Sequence, residues 1–224
     1  EQMATQLIGT HIKNKNTPLL EIQDVVGIGT YGAAYRAVAE DGRAYLVKTT
    51  AHPERFNTLA MELLYIGFLL HEGNILKRIT EKNITATDGP SLVAPRFFGF
   101  ALTEKTSIAY ISEYIQGKTI FDEVNAPAAH VSIPFKVAMD LVDQVAALHR
   151  AGFVHRDIKS NNIILGSNGK PRLVDFGAAL QYKGPHDIDL PEEHIVSDLA
   201  YLNQTGVPTS FSIPLTKPGF DFFQ

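Results

Sequence analysis

The segment from His155 to Gly177 constrains this chain more than any other. It opens with His155-Arg156-Asp157-Ile158-Lys159-Ser160-Asn161-Asn162 and closes with Asp175-Phe176-Gly177. Between them two short apolar runs flank Ser167-Asn168-Gly169, a turn signal that predicts a small hairpin. The two aspartates therefore stand 18 positions apart with a strand, a turn and a second strand between them.

The surroundings read as an α+β pattern. From Leu19 to Lys48 short apolar runs alternate with a glycine cluster and with Asp41-Gly42, which predicts strands joined by a hairpin. Phe56, Leu59, Leu63, Ile66 and Leu70 then recur at helical spacing, predicting a helix over 54–72. A polar stretch follows at 77–91, then two strands over 96–102 and 107–115. Phe135, Ala138, Leu141, Val142, Val145 and Leu148 predict a second helix, with Ser132 as its cap, Pro134 in its first turn and Gly152 after its end. Strands plus one helix, followed by helices, imply two lobes joined near 114–118.

Composition narrows the function classes. Net charge is −4, so the chain lacks the basic footprint of a nucleic-acid binder. It has no cysteine, which excludes disulfides, thiolate zinc sites and a cysteine nucleophile. The apolar stretch Leu63–Leu70 is far short of the roughly 18 residues that span a bilayer, and residues 1–16 carry no signal-peptide core. A soluble protein is expected.

The segments 155–162 and 175–177 together resemble the H-R-D-x-K-x-x-N and D-F-G motifs of the protein kinase superfamily. The resemblance covers residues 20–180 and implies a two-lobed fold, with a β-rich N-lobe, one αC-type helix and a short helical C-lobe. The corresponding division is a flexible lead-in over 1–18, an N-lobe over 19–115, a C-lobe over 116–206 and a tail over 207–224. Gly27, Gly29 and Gly32 form G-x-G-x-x-G between two strand-like runs, which suits a phosphate-covering β-hairpin rather than a dinucleotide site.

The resemblance also assigns roles to single residues. Lys48 would hold the ATP phosphates, with Glu62 as its ion-pair partner because Glu62 falls between Leu59 and Ile66 on the helix face; Glu54 and Glu72 are the alternates. The backbone of Glu113 and Ile115 would bind adenine, Ile164 would line its floor, and Ser112 would be a small gatekeeper beside an unusually large Leu46. Asp157 would accept the proton of the attacking hydroxyl, Lys159 would neutralise the moving phosphoryl group, and Asn162 and Asp175 would hold Mg²⁺. His155 reads as structural.

The implied activity is ATP- and Mg²⁺-dependent transfer to Ser/Thr hydroxyls of a protein substrate. Only 49 residues follow Asp175, and no A-P-E motif is found there. Ser197-Asp198 resembles the helix that anchors the catalytic loop, which would make the activation segment very short. Such brevity resembles the minimal kinases that bacterial pathogens inject into host cytoplasm, whose targets include a heat-shock chaperone and ubiquitin-pathway proteins, and a piece of a longer kinase would look the same. Two alternatives stand beside this reading: a small-molecule kinase and a pseudokinase scaffold.

Overall fold

A computed structural model describes residues 4–29, 32–50, 59–86, 92–104, 107–126 and 134–181. The period-2 pattern of the first half builds an antiparallel sheet. Its strands are β1 (His11–Ile12), β2 (Leu20–Ile28), β3 (Gly32–Ala39) and β4 (Ala44–Thr50). After helix α1 (Leu59–Glu81) come β5 (Phe97–Leu102) and β6 (Ile108–Glu113), giving the order β1-β2-β3-β4-β6-β5. On β4 the side chains of Tyr45, Val47 and Thr49 enter the core, so Leu46 and Lys48 lie on the opposite, half-buried face. The Asp41-Gly42 turn forms as expected, with Gly42 at φ +82° and the Asp41 carboxylate accepting from the Arg43 N–H at 3.0 Å.

Residues 4–18 are built into this lobe rather than preceding it as a lead-in. Leu7 and Ile12 are buried with Leu20, Ile22 and Tyr35, and the Asn16 side chain donates to the Phe98 carbonyl at 2.7 Å. The sequence hides this because only two apolar side chains carry the attachment.

The chain leaves the first lobe between Glu113 and β7 (Gly117–Thr119). The second lobe holds α2 (Ile120–Val124), α3 (Phe135–Arg150), β8 (Phe153–Val154), β9 (Ile163–Gly166), β10 (Pro171–Leu173) and β11 (Leu180–Gln181). The two-lobed α+β arrangement is the expected one. In α3, Val137, Val145 and Leu148 are buried, Pro134 precedes the first turn, and Gly152 at φ +83° follows the last. Ser132 lies outside the described residues. The β9–β10 hairpin turns through Gly169 at φ +73°.

Helix α1 departs most from expectation. It runs to Glu81, and its buried residues are Leu69, Glu72, Gly73, Ile75, Leu76 and Ile79. Leu59 and Leu63, read as core from their spacing, are 70% and 59% exposed. Its length and mean hydropathy would suffice to cross a membrane. Its second half, however, packs against β4, β5 and β6 and carries a buried ion pair, as a lobe helix does.

Gly73 sets how closely α1 approaches the sheet. A Cβ there would stand 2.6–2.7 Å from ring carbons of Phe100, which Phe97 holds edge-on at 5.1 Å. Gly73→Ala is therefore expected to lose about 1 kcal/mol net, overpacking outweighing the helix propensity gained. Thermal unfolding should show Tm lower by about 2–4 °C. A rise in Tm would mean that the Phe100 ring yields freely.

Candidate active site

Three elements bring the charged residues together. Lys48 lies on the face of β4 opposite Val47 and Thr49, Glu72 projects from the buried stripe of α1, and Asp175 follows β10. The Lys48 ammonium donates to Glu72 Oε2 at 2.7 Å and to Asp175 Oδ1 at 3.4 Å. Tyr110 stands directly across the β4–β6 ladder from Lys48 and is fully buried.

Burial works against the Lys48 charge, but the two carboxylates outweigh it and raise the amine above its ordinary value. Burial pushes the Glu72 carboxyl up from its usual range, with Lys48 pulling against it. Asp175 goes the other way: burial opposes its charge, yet Lys48 and the Gly177 N–H hold it below the usual carboxylate value. Lys48 is thus a fixed cation and Asp175 a fixed anion at neutral pH.

Glu62 is not the partner of Lys48. It lies ten residues before Glu72 on the same helix, roughly 15 Å along the axis, in a half the sheet does not cover. Glu72 satisfies the rule that pointed to Glu62, since Leu69, Ile75, Leu76 and Ile79 surround it at helical spacing. An end placed at residue 72 concealed that stripe. Glu54 lies outside the described residues.

The segment 155–162 folds around Asp157. Lys159 Nζ and Asn162 Nδ2 both donate to Asp157 Oδ2, each at 2.8 Å, and Asn162 Nδ2 also reaches the Asp157 carbonyl at 3.0 Å. His155 is fully buried and stacks edge-on against Phe176 at 4.6 Å. Its Nδ1 accepts from the Asp157 N–H, so Nε2 bears the proton that meets the Val174 carbonyl at 3.2 Å. That is the structural role expected for it. Arg156 and Asp175 hold left-handed backbone, at φ +69° and +61°. Such strain costs about 1–3 kcal/mol per residue and clusters at functional sites.

Gly27 and Gly29 lie at the end of β2 and Gly32 begins β3; the Gly29 N–H closes the turn onto the Gly32 carbonyl at 2.8 Å. A hairpin, not a strand-to-helix turn, therefore carries the glycines. Gly32 also lies against the Thr49 carbonyl, where a Cβ would collide.

At the crossing between lobes, the Glu113 N–H is spent on the Arg96 carbonyl at 2.8 Å, so it is not the group that Glu113 can offer a ligand. Its carboxylate is held by Arg172 at 3.0 Å, a partner the sequence did not reveal. Ile115 follows in the crossing segment, and Ile164 sits on β9 opposite Thr119. Ser112 is fully buried and pairs across the ladder with Leu46, so the large and small side chains share one face of the sheet. A cavity of about 420 Å³ lies between the crossing segment, α3 and the β9–β10 turn; Glu113, Ile115 and Arg172 line it, and Lys48, Asp157 and Asp175 do not.

Among the described residues no three His, Asp or Glu side chains gather as a metal site. Asp175 and Asn162 would supply one carboxylate and one amide oxygen, since Asn162 spends its Nδ2 on Asp157. That sparse, hard donor set suits a cation that keeps water and phosphate oxygens around it, as Mg²⁺ does.

The protein kinase domain model matches residues 20–204. A leaf-rust-resistance receptor-like protein kinase of Arabidopsis thaliana is 26% identical over 79% of this chain, which corresponds to 26% of that protein. Human mitogen-activated protein kinase kinase kinase 19 is 31% identical over 75% of the chain and 12% of its own length. The serine/threonine-protein kinase STY46 of Arabidopsis thaliana is 24% identical over 76% of the chain and 27% of its own. The chain thus spans about a quarter or less of these relatives.

Proposed function

The chain belongs to the protein kinase family, and on that premise we propose that it transfers the γ-phosphoryl group of ATP to a serine or threonine hydroxyl of a protein substrate. The observation that carries this reading is Lys48 held between Glu72 and Asp175, with Asp157, Lys159 and Asn162 joined in a second cluster. A pseudokinase would be expected to have lost Lys48, Asp157, Asn162 or Asp175, and all four are intact.

Lys48 binds and orients the phosphates. The glycine hairpin brings backbone N–H groups to them without side-chain bulk. The acceptor oxygen bonds to the γ-phosphorus as the bond from that phosphorus to the ADP oxygen breaks. The hydroxyl proton passes to the Asp157 carboxylate, and Lys159 offsets charge on the moving group. Mg²⁺, held by Asp175 and Asn162, would neutralise charge on the phosphate oxygens. The glycine hairpin and Arg156 favour a protein over a small-molecule acceptor. Neither the fold nor the relatives favour the bacterial-effector reading, or a chaperone or ubiquitin-pathway target, over any other protein substrate.

Incubation with γ-labelled ATP, Mg²⁺ and a eukaryotic lysate tests the reading. Discrete labelled proteins are expected with the wild-type chain and none with Asp175→Ala. Equal labelling by both would overturn the assignment of Asp175. No labelling by the wild type, with ATP still bound, would favour a scaffold.

A further inference from the structure

We propose that His71 is a positioning residue: it latches α1 to the segment that follows Asp175-Phe176-Gly177 and so holds Glu72 against Lys48. The proposal deepens the kinase reading and rests on it for the catalytic consequence.

His71 and Glu72 are neighbours on α1, about 100° apart around the axis. Glu72 faces the sheet and Lys48. His71 faces the other lobe, where its Nε2 meets the Ala179 carbonyl at 2.8 Å. A carbonyl only accepts, so Nε2 carries the hydrogen. Ala179 is fully buried, and its own N–H closes a turn onto the Phe176 carbonyl at 3.0 Å.

The two residues after Ala179 form β11, which pairs with β8: Leu180 with Val154 and Gln181 with Phe153. Strand β8 runs directly into His155, Arg156 and Asp157. One side chain therefore connects the helix bearing Glu72 to the strand pair that leads into Asp157. Seven residues on, along the same helix face, Arg78 donates to the Gln181 side chain at 2.8 Å. The α1–β11 seam thus has a half-buried contact at His71 and an exposed one at Arg78, and the exposed pair contributes less. The latch uses no phosphate, so α1 is placed by contacts already in the fold.

Hydrogen exchange on the full chain tests this, with His71→Ala, His71→Phe and His71→Gln beside the wild type. Losing this bond is expected to shift the opening equilibrium about tenfold. In His71→Ala and His71→Phe, amides of 69–76 and of 178–181 should exchange about tenfold faster. His71→Gln, which can still donate, should restore protection. In phosphate transfer the first two variants should lower kcat with KM for ATP within about twofold, and His71→Gln should recover it. His71→Phe retains ring bulk and keeps the comparison valid if His71→Ala does not fold. Unchanged exchange, or faster exchange in only one of the two segments, overturns the latch. Joint acceleration rescued by His71→Gln supports it even if the wild type transfers no phosphate, in which case the kinase reading fails and the latch stands.

Discussion

Asp157→Asn is expected to lower kcat for phosphoryl transfer about 10²–10⁴-fold, the range a positioned general base supplies, while KM for ATP changes less than about threefold. Asp157 Oδ2 already accepts from Lys159 and Asn162, so Oδ1 is the oxygen that can meet an acceptor hydroxyl. An asparagine keeps the shape but must aim its carbonyl oxygen at those two donors. Its amide nitrogen then faces the acceptor, a donor where an acceptor is needed. The phosphate contacts of Lys48 and the glycine hairpin are left alone, because they belong to the other lobe. Steady-state transfer from labelled ATP, beside nucleotide binding followed by fluorescence, separates the two quantities. A kcat within about threefold of wild type would remove Asp157 from the proton-accepting role.

Asp157 was legible because its chemistry is local. The five residues that define its loop all lie within 155–162, and chain connectivity alone brings Lys159 and Asn162 to its carboxylate. The glycine hairpin was legible for the same reason, as were the Gly42, Gly152 and Gly169 turns, where positive φ selects the residue. Tertiary partners were not. The Arg172–Glu113 pair joins positions 59 apart, and His71 meets a carbonyl 108 residues away. Apolar periodicity also misled along α1, since Leu59 and Leu63 repeat correctly yet stay exposed. A helical stripe marks a face but not what covers it, and the sheet covers only the second half of this helix.

That last point makes Glu72 and Glu62 a direct contest. Glu72→Gln is expected to lower kcat/KM for ATP about 10²-fold, the order lost with one fixed charge of a preorganised site. Glu62→Gln should leave it within about twofold. The amide in Glu72→Gln keeps the volume beside Tyr110 but withdraws the anion from the Lys48 ammonium. Lys48 would then lean on Asp175, at 3.4 Å its remaining carboxylate, and so compete with whatever cation Asp175 holds. A rise in the Mg²⁺ concentration needed for half-maximal rate should accompany the loss, which simple unfolding would not produce. Glu62 makes no such contact and lies about three turns back along the helix. Equal losses in both variants would mean that α1 slides along its axis in solution to bring either carboxylate to Lys48. Gly73, whose missing Cβ admits the Phe100 ring, argues against that slide, because any other residue brought to the same point would meet the ring.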